Sequence, residues 1–138
     1  MIILDTNVLS ELMRLSPSDA VVEWFTEQAL DEIRTTAVSR AEILYGIEIL
    51  PAGKRRSEIS GAAESVFRVL PEPMLPFDAA AAAAFGKIAA SRRKRGRPID
   101  FMDAQIAAIA LVYGATLATR DAADFAHCGV RVVNPWRR

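Results

Sequence analysis

One histidine, His127, and one cysteine, Cys128, are all that the 138 residues contain of either type. That scarcity excludes an intramolecular disulfide, and it excludes a zinc site assembled from Cys and His ligands within one chain. Nucleophilic catalysis of the Ser–His or Cys–His kind would rest on His127 alone, and no nucleophile signature surrounds it. An excess of one charge is missing too. Lys plus Arg and Asp plus Glu both number 17, so no whole-molecule field draws in nucleic acid or an acidic membrane, and any phosphate recognition is local. Long apolar runs are absent: Ile106 to Tyr113 is far short of a membrane span. Met1-Ile2-Ile3-Leu4 leads straight into Asp5 with no basic leader. The expectation is a cytoplasmic protein with no membrane association. The rest is ordinary globular composition, 51% apolar and 25% charged, in a length that suits a single domain over 1–138.

The apolar pattern alternates strand and helix. Ile2 to Leu4 reads as a buried strand that feeds a turn at Asp5-Thr6-Asn7, and Val8, Leu9, Leu12 and Met13 come next at helical spacing. Ser18 or Asp19 is positioned to cap a helix carrying Val21, Val22, Trp24 and Phe25. Ile33 to Val38 suits a second strand, after which Ser39 is expected to cap a helix with Ile43, Leu44, Ile47 and Ile49 or Leu50 on its apolar side. A charged stretch from Lys54 to Glu58 leads into a helix through Val66, and Pro71, Pro73 and Pro76 then punctuate a segment with little freedom to be helical. Asp78 opens an alanine-rich helix to about Arg92, and Asp100 opens a last long helix to Tyr113. Strands are expected at Ala115 to Ala118 and Val130 to Val133, with a short turn from Asp121 to Ala126 between them. Strands separated by helices imply a mostly parallel sheet covered on both faces.

In such a sheet, sites form beyond the carboxyl ends of the strands. Asp5 directly follows the first strand, and Asp121 comes three residues after the strand ending at Ala118. Glu42 and Asp103 fall in the expected first turns of two helices. Four carboxylates therefore occupy element ends that can converge. Clustered carboxylates repel and raise one another's pKa unless a cation joins them, and oxygen-only ligands select Mg²⁺ or Mn²⁺. Capping offers each acid a plainer role: Asp100 with Asp103, Asp121 with Asp124, and Glu42 three residues after Ser39 all have cap spacing. Capping accounts least well for Asp5, an acid at the end of a buried strand.

Four segments in this order, Ile3-Leu4-Asp5-Thr6-Asn7-Val8-Leu9-Ser10-Glu11, Ala41-Glu42-Ile43-Leu44-Tyr45-Gly46, Asp103-Ala104-Gln105-Ile106-Ala107-Ala108 and Ala118-Thr119-Arg120-Asp121, closely resemble the PIN-domain ribonucleases. Their spacing is similar to the VapC toxins of bacterial toxin–antitoxin pairs, and with the ending Asn134-Pro135-Trp136, to their FitB-like branch. The resemblance spans essentially the whole chain. It implies a three-layer α/β/α sandwich and Mg²⁺-dependent endoribonuclease activity on single-stranded regions of RNA. It also implies that Asp5 and Asp103 are direct metal ligands, that Glu42 and Asp121 complete the acidic pocket, and that Thr6, Asn7 or Thr119 hydrogen-bond carboxylates, water or phosphate. Asp100 and Asp124 are further acids beside the motif positions. A homodimer and a small VapB-type antitoxin that occludes the groove, in an assembly larger than the dimer, are implied in the same way.

The acidic set predicts hydrolysis by activated water, leaving 5′-phosphate and 3′-hydroxyl ends, with one or two ions. Arg92, Arg93, Lys94, Arg95 and Arg97, with Lys54, Arg55 and Arg56, are candidate phosphate contacts at the pocket rim; cations near a helix C-terminus also simply suit the dipole. Trp24, Phe25, Phe67, Phe77, Phe85 and Phe101 read as core, and Trp136 as packing at a subunit contact. Two other readings stay open. One is a haloacid-dehalogenase-like phosphotransferase using Asp5 as nucleophile, which Asn7 disfavours by standing where a second acid is required. The other is a non-catalytic interaction module whose acids only cap helices.

Overall fold

Three apolar residues, Ile2–Leu4, form strand β1 at the centre of a four-stranded, wholly parallel sheet of order β2-β1-β3-β4. The computed structural model describes residues 1–137. β2 is Ile33–Arg34, β3 is Thr116–Ala118 and β4 is Arg131–Val133. The register is Ile3 opposite Leu117 and Leu4 opposite Ala118, then Leu117 opposite Val132. Helices fill the connections: α1 (Thr6–Leu12), α2 (Asp19–Glu27), α3 (Ala37–Glu48), α4 (Lys54–Val69), α5 (Ala79–Lys94) and α6 (Phe101–Tyr113), with short 3-10 turns at Leu30–Glu32 and Ala122–Phe125.

Because successive strand residues point to opposite faces, the sheet divides the core in two. Ile3 and Leu117 join Ile88 and the buried stripe Ile106–Ala110 under α5 and α6. Leu4, Ala118 and Ile33 join Val8, Leu9, Val21, Trp24 and Leu70 on the other side. Helices on both faces of the sheet make the expected α/β/α sandwich. The middle of α6, Ala104 and Ile106–Ala110, is fully buried, and the helix ends at Gly114, whose φ of 59° makes the left-handed C-cap before β3. That cap turns the chain straight into the central strand pair.

Several expectations are corrected here. The second strand stops at Arg34, not Val38: Thr35 and Ala37 exchange backbone hydrogen bonds with Leu75 (Leu75 N to Thr35 O, 3.0 Å; Ala37 N to Leu75 O, 2.8 Å), which draws this segment off the sheet. Thr36 rather than Ser39 then caps α3, its hydroxyl accepting from Ser39 N at 3.0 Å. Glu42 therefore sits in the second turn, free of any capping box. Leu44 and Ile49 are 44% and 64% exposed, so neither belongs to the apolar side of α3. The charged stretch Lys54 to Glu58 lies inside α4, where Lys54 and Glu58 pair at 3.8 Å. Phe77 and Phe101 leave the core as well. They flank Phe85 edge-to-face at 5.9 and 5.5 Å, and Phe101 is 67% exposed.

A candidate acidic active site

Asp5 is placed by β1. Its backbone N–H donates to Ala118 O at 2.9 Å, which extends the β1–β3 ladder by one residue and sets the carboxylate at the carboxyl edge of the sheet. The side chain is only 4% exposed. Burying a carboxylate is costly unless its oxygens are served. Thr6 N–H donates to Oδ1 at 2.8 Å and the Thr119 hydroxyl to Oδ2 at 2.6 Å. Burial still wins: it holds the Asp5 pKa above its ordinary value, these two hydrogen bonds oppose the rise, and the charges of Asp121 and Asp124 add to it.

The other acids arrive from three more segments. Glu42, on α3, accepts the Thr6 hydroxyl at 2.9 Å; burial first, then the charges of Asp5 and Asp100, raise its pKa. Asp121, after β3, accepts from Asn7 Nδ2 at 3.1 Å, and no cap bond ties its side chain to the 3-10 turn. Asp103 stands in the first turn of α6. It is pushed up to about 7, by burial first and then by the charges of Asp5, Asp100, Asp124 and Glu42. Alone of the four, Asp103 accepts no hydrogen bond through its side chain among the described residues. Asp5, Glu42, Asp103, Asp121 and Asp124 line one pocket of about 520 Å³. Asp100 does not; it caps α6, accepting from Met102 N at 3.0 Å and Asp103 N at 3.3 Å. The buried Thr119 hydroxyl lies behind the pocket and also accepts from Asp121 N at 3.2 Å and Asn7 Nδ2 at 3.3 Å. Thr6, Asn7 and Thr119 thus orient the acids.

The donors offered to a cation are oxygens only, which suits a hard divalent ion. An acid raised to about 7 by burial first, and by four neighbouring acids after it, marks a pocket where negative charge is costly. Among the described residues no group of three or more His, Cys, Asp or Glu side chains is placed to hold a metal ion as it stands, so the pocket is an open cup of separate carboxylates.

The basic segment is divided. Arg92 is withdrawn from the candidate RNA contacts. It is 4% exposed, and its guanidinium donates inward to the carbonyls of Arg97 (2.7 Å), Asp124 (2.7 Å) and Ala126 (3.0 Å). Arg93, Lys94, Arg95 and Arg97 are exposed, and none lines the acidic pocket. Lys54 and Arg56 pair with Glu58 and Glu48. Sequence reasoning missed Glu11, a 6% exposed acid in the pocket that accepts from Ser18 N at 3.1 Å and pairs with Arg14 at 3.2 Å. The only local signal was the i,i+3 spacing of Glu11 and Arg14. Trp136, expected at a subunit contact, lines the same pocket.

A wholly parallel sheet in the order 2-1-3-4 with acids gathered at its carboxyl edge makes this an α/β protein with an acidic edge site. The PIN-domain family model matches residues 2–129, and the chain belongs to that family. The chain is 37% identical over 137 residues to the VapC ribonuclease Y4jK of Sinorhizobium fredii, covering 99% of this chain and 98% of that protein. It is 36% identical to Toxin FitB of Neisseria gonorrhoeae, covering 99% of each. The solved structure of FitAB bound to an IR36 DNA fragment superposes with a TM-score of 0.92 at 35% identity, covering 100% of this chain and 97% of that one. Family membership displaces the phosphotransferase alternative built on Asp5.

Proposed function

We propose that this chain is an endoribonuclease that uses Mg²⁺ or Mn²⁺ to cut phosphodiester bonds in single-stranded regions of RNA, and that it is the toxin of a toxin–antitoxin pair in the cytoplasm. One observation carries the nuclease reading: Asp5, Glu42, Asp103 and Asp121 come from four separate segments and face one pocket. A divalent ion, when bound, supplies charge neutralisation and polarises water. The rest belongs to the chain. Asp5 and Asp103 are the proposed direct ligands, with Glu42 and Asp121 completing the set. Thr119 and the Thr6 N–H fix both oxygens of Asp5, the Thr6 hydroxyl fixes Glu42, and Asn7 fixes Asp121. Asp103, which has no such partner, is free to turn toward ion, water or phosphate. Arg93, Lys94, Arg95 and Arg97 stand as candidate contacts for phosphates farther along the strand.

The relatives named as VapC ribonuclease and Toxin FitB, and the FitAB assembly, support the toxin role with a small VapB-type antitoxin as partner. A groove of about 700 Å³ between α1, α3 and α4 shares Thr6, Ser10, Arg14 and Glu42 with the acidic pocket, so a segment seated there reaches the acids. The toxin is proposed to be a homodimer within a larger toxin–antitoxin assembly, which light scattering of the free and partnered protein measures.

The deciding experiment compares wild type with Asp103→Asn on a structured RNA, with and without Mg²⁺, mapping cuts and end groups. Cuts in single-stranded segments, 5′-phosphate ends, and loss of cutting with chelator or with Asp103→Asn are expected. Cyclic 2′,3′-phosphate ends overturn the mechanism.

A further inference from the structure

Six carboxylates, Asp5, Glu11, Glu42, Asp103, Asp121 and Asp124, line the acidic pocket, and two arginines, Arg14 and Arg120, line it with them. Arg14 pairs with Glu11 at 3.2 Å. Arg120 makes no ion pair among the described residues. Its guanidinium carbon lies 5.1 Å from the centroid of the Trp136 ring, and Trp136 lines the pocket beside it. A guanidinium resting on an indole face, in a pocket with six acids, keeps its N–H edge free for another oxygen-rich anion.

This pair is built into the fold. Asn134 donates through Nδ2 to Arg120 O at 3.2 Å and accepts the Trp136 N–H through Oδ1 at 2.9 Å, so one side chain fixes the backbone of both partners. Asn7, which bonds Asp121, also accepts the Arg120 N–H at 3.3 Å. Arg120 is thereby tied to the acids on one side and to Trp136 on the other. Trp136 is partly buried and packs against the core cluster that contains Leu4 and Leu9, which anchors the platform.

We propose that Arg120, held on the Trp136 face, grips a backbone phosphate of single-stranded RNA adjoining the phosphate presented to the acids. The proposal deepens the ribonuclease reading and rests on it for the identity of the polyanion. A strand entering a cup of carboxylates is repelled unless a cation meets it at the entrance, and a guanidinium fork matches two phosphate oxygens. The exposed Arg93 to Arg97 segment lies outside the pocket lining and does not supply that contact.

The test uses the full chain and a short fluorescein-labelled single-stranded RNA of mixed sequence. Binding is read by anisotropy with Ca²⁺ in place of Mg²⁺, and cleavage is read with Mg²⁺; unchanged thermal midpoints verify folding of each variant. Arg120→Gln is expected to weaken binding and raise KM about ten-fold with kcat nearly unchanged, the loss of one charge-assisted contact. The slope of log affinity against log salt should flatten by about 0.7, the share of one phosphate on a single strand. Arg120→Lys restores part of the affinity, Trp136→Phe keeps most of it, and Trp136→Leu behaves like Arg120→Gln. A single methylphosphonate linkage at the gripped position weakens wild type and leaves Arg120→Gln no worse. Unchanged KM and salt slope in Arg120→Gln overturn the proposal, as does a loss confined to kcat. Weakened binding of a polyglutamate probe with RNA binding intact overturns it too, in favour of an acidic protein segment at this arginine. Arg120-dependent RNA binding without cleavage by wild type sinks the ribonuclease reading and leaves the phosphate grip standing.

Discussion

The Thr119 hydroxyl donates to Asp5 Oδ2 at 2.6 Å across the junction of two neighbouring parallel strands, joining residues 114 positions apart. The Thr119 hydroxyl oxygen in turn accepts the Asp121 N–H at 3.2 Å. One buried side chain therefore holds the acid that follows β1 and the backbone of the acid that follows β3. Parallel pairing of β1 with β3 makes this possible, because both strands end at the same edge.

Thr119→Val removes that donor at nearly constant volume. Asp5 loses a hydrogen bond that favours its ionised form, so its pKa, already raised, climbs further. We expect the acid limb of the activity–pH profile to shift upward, and the fold to lose about 2 kcal/mol at pH 7, the usual scale for a lost bond to a charged group. Denaturant melts and a pH–rate profile check both. An unmoved acid limb removes Thr119 from control of Asp5.

Asp103 sets how the cation-free fold responds to pH. Its carboxyl titrates near 7 in the folded chain, against about 3.9 when unfolded. Between those values Asp103 binds more proton in the native state than in the unfolded state, so its own contribution to stability is most favourable below about pH 4 and is lost as pH rises to about 7. Asp103→Asn removes this share of the decline and leaves the shares of Asp5 and Glu42, whose pKa values are also raised. At pH 8 the variant should be more stable than wild type by about 1–2 kcal/mol, the full linkage value being reduced by solvent screening at this half-buried position. Parallel urea titrations across pH, in chelator, measure it. If Asp103 served only as a helix-terminal charge, the substitution would lower stability instead.

Addition of Mg²⁺ should reverse the same effect. A ligand that binds only the folded chain stabilises it by about 1.4 kcal/mol at ten times its dissociation constant. Protons compete for Asp103, so the gain is expected to be larger at pH 8 than at pH 6 and to shrink strongly in Asp103→Asn. Thermal shift with Mg²⁺ against Na⁺ at matched ionic strength reads this directly. Equal shifts in both proteins would exclude Asp103 as a ligand.

The acids were legible because each follows a local signal: Asp5 ends an apolar run, Asp103 follows a cap, and Asp121 follows a short strand before a turn. Their meeting depends on the parallel sheet, which the alternation of strands and helices already implied. What local pattern could not carry was long-range pairing. Thr36 replaces Ser39 as cap because Thr35 and Ala37 bond with Leu75, far along the chain. Phe77 and Phe101 have core composition, yet they lie exposed and meet the partly buried Phe85 edge-to-face near the start of α6. Glu11 gave little hint of burial, since the partner that most needs it, the Ser18 N–H, lies beyond the end of α1.

Arg92 is the sharpest case of a residue whose role only its acceptors reveal. In sequence it opens a run of cations; in the fold its Nε serves Arg97 O, just before the α6 start, and its Nη1 serves Asp124 O and Ala126 O in the turn after Asp121. Both segments carry pocket acids. Arg92→Met keeps much of the volume and leaves three inward carbonyls without a donor, which should cost about 3 kcal/mol or more. Arg92→Lys offers one ammonium to acceptors arranged for a planar fork and should recover only part. The nearby Cys128 thiol, 3.6 Å from Nη1 and buried, provides a local reporter. Its alkylation by iodoacetamide should accelerate in Arg92→Met below the melting range, when the turn opens ahead of the global fold. Unchanged stability together with unchanged Cys128 protection would return Arg92 to the surface cations, where the sequence first placed it.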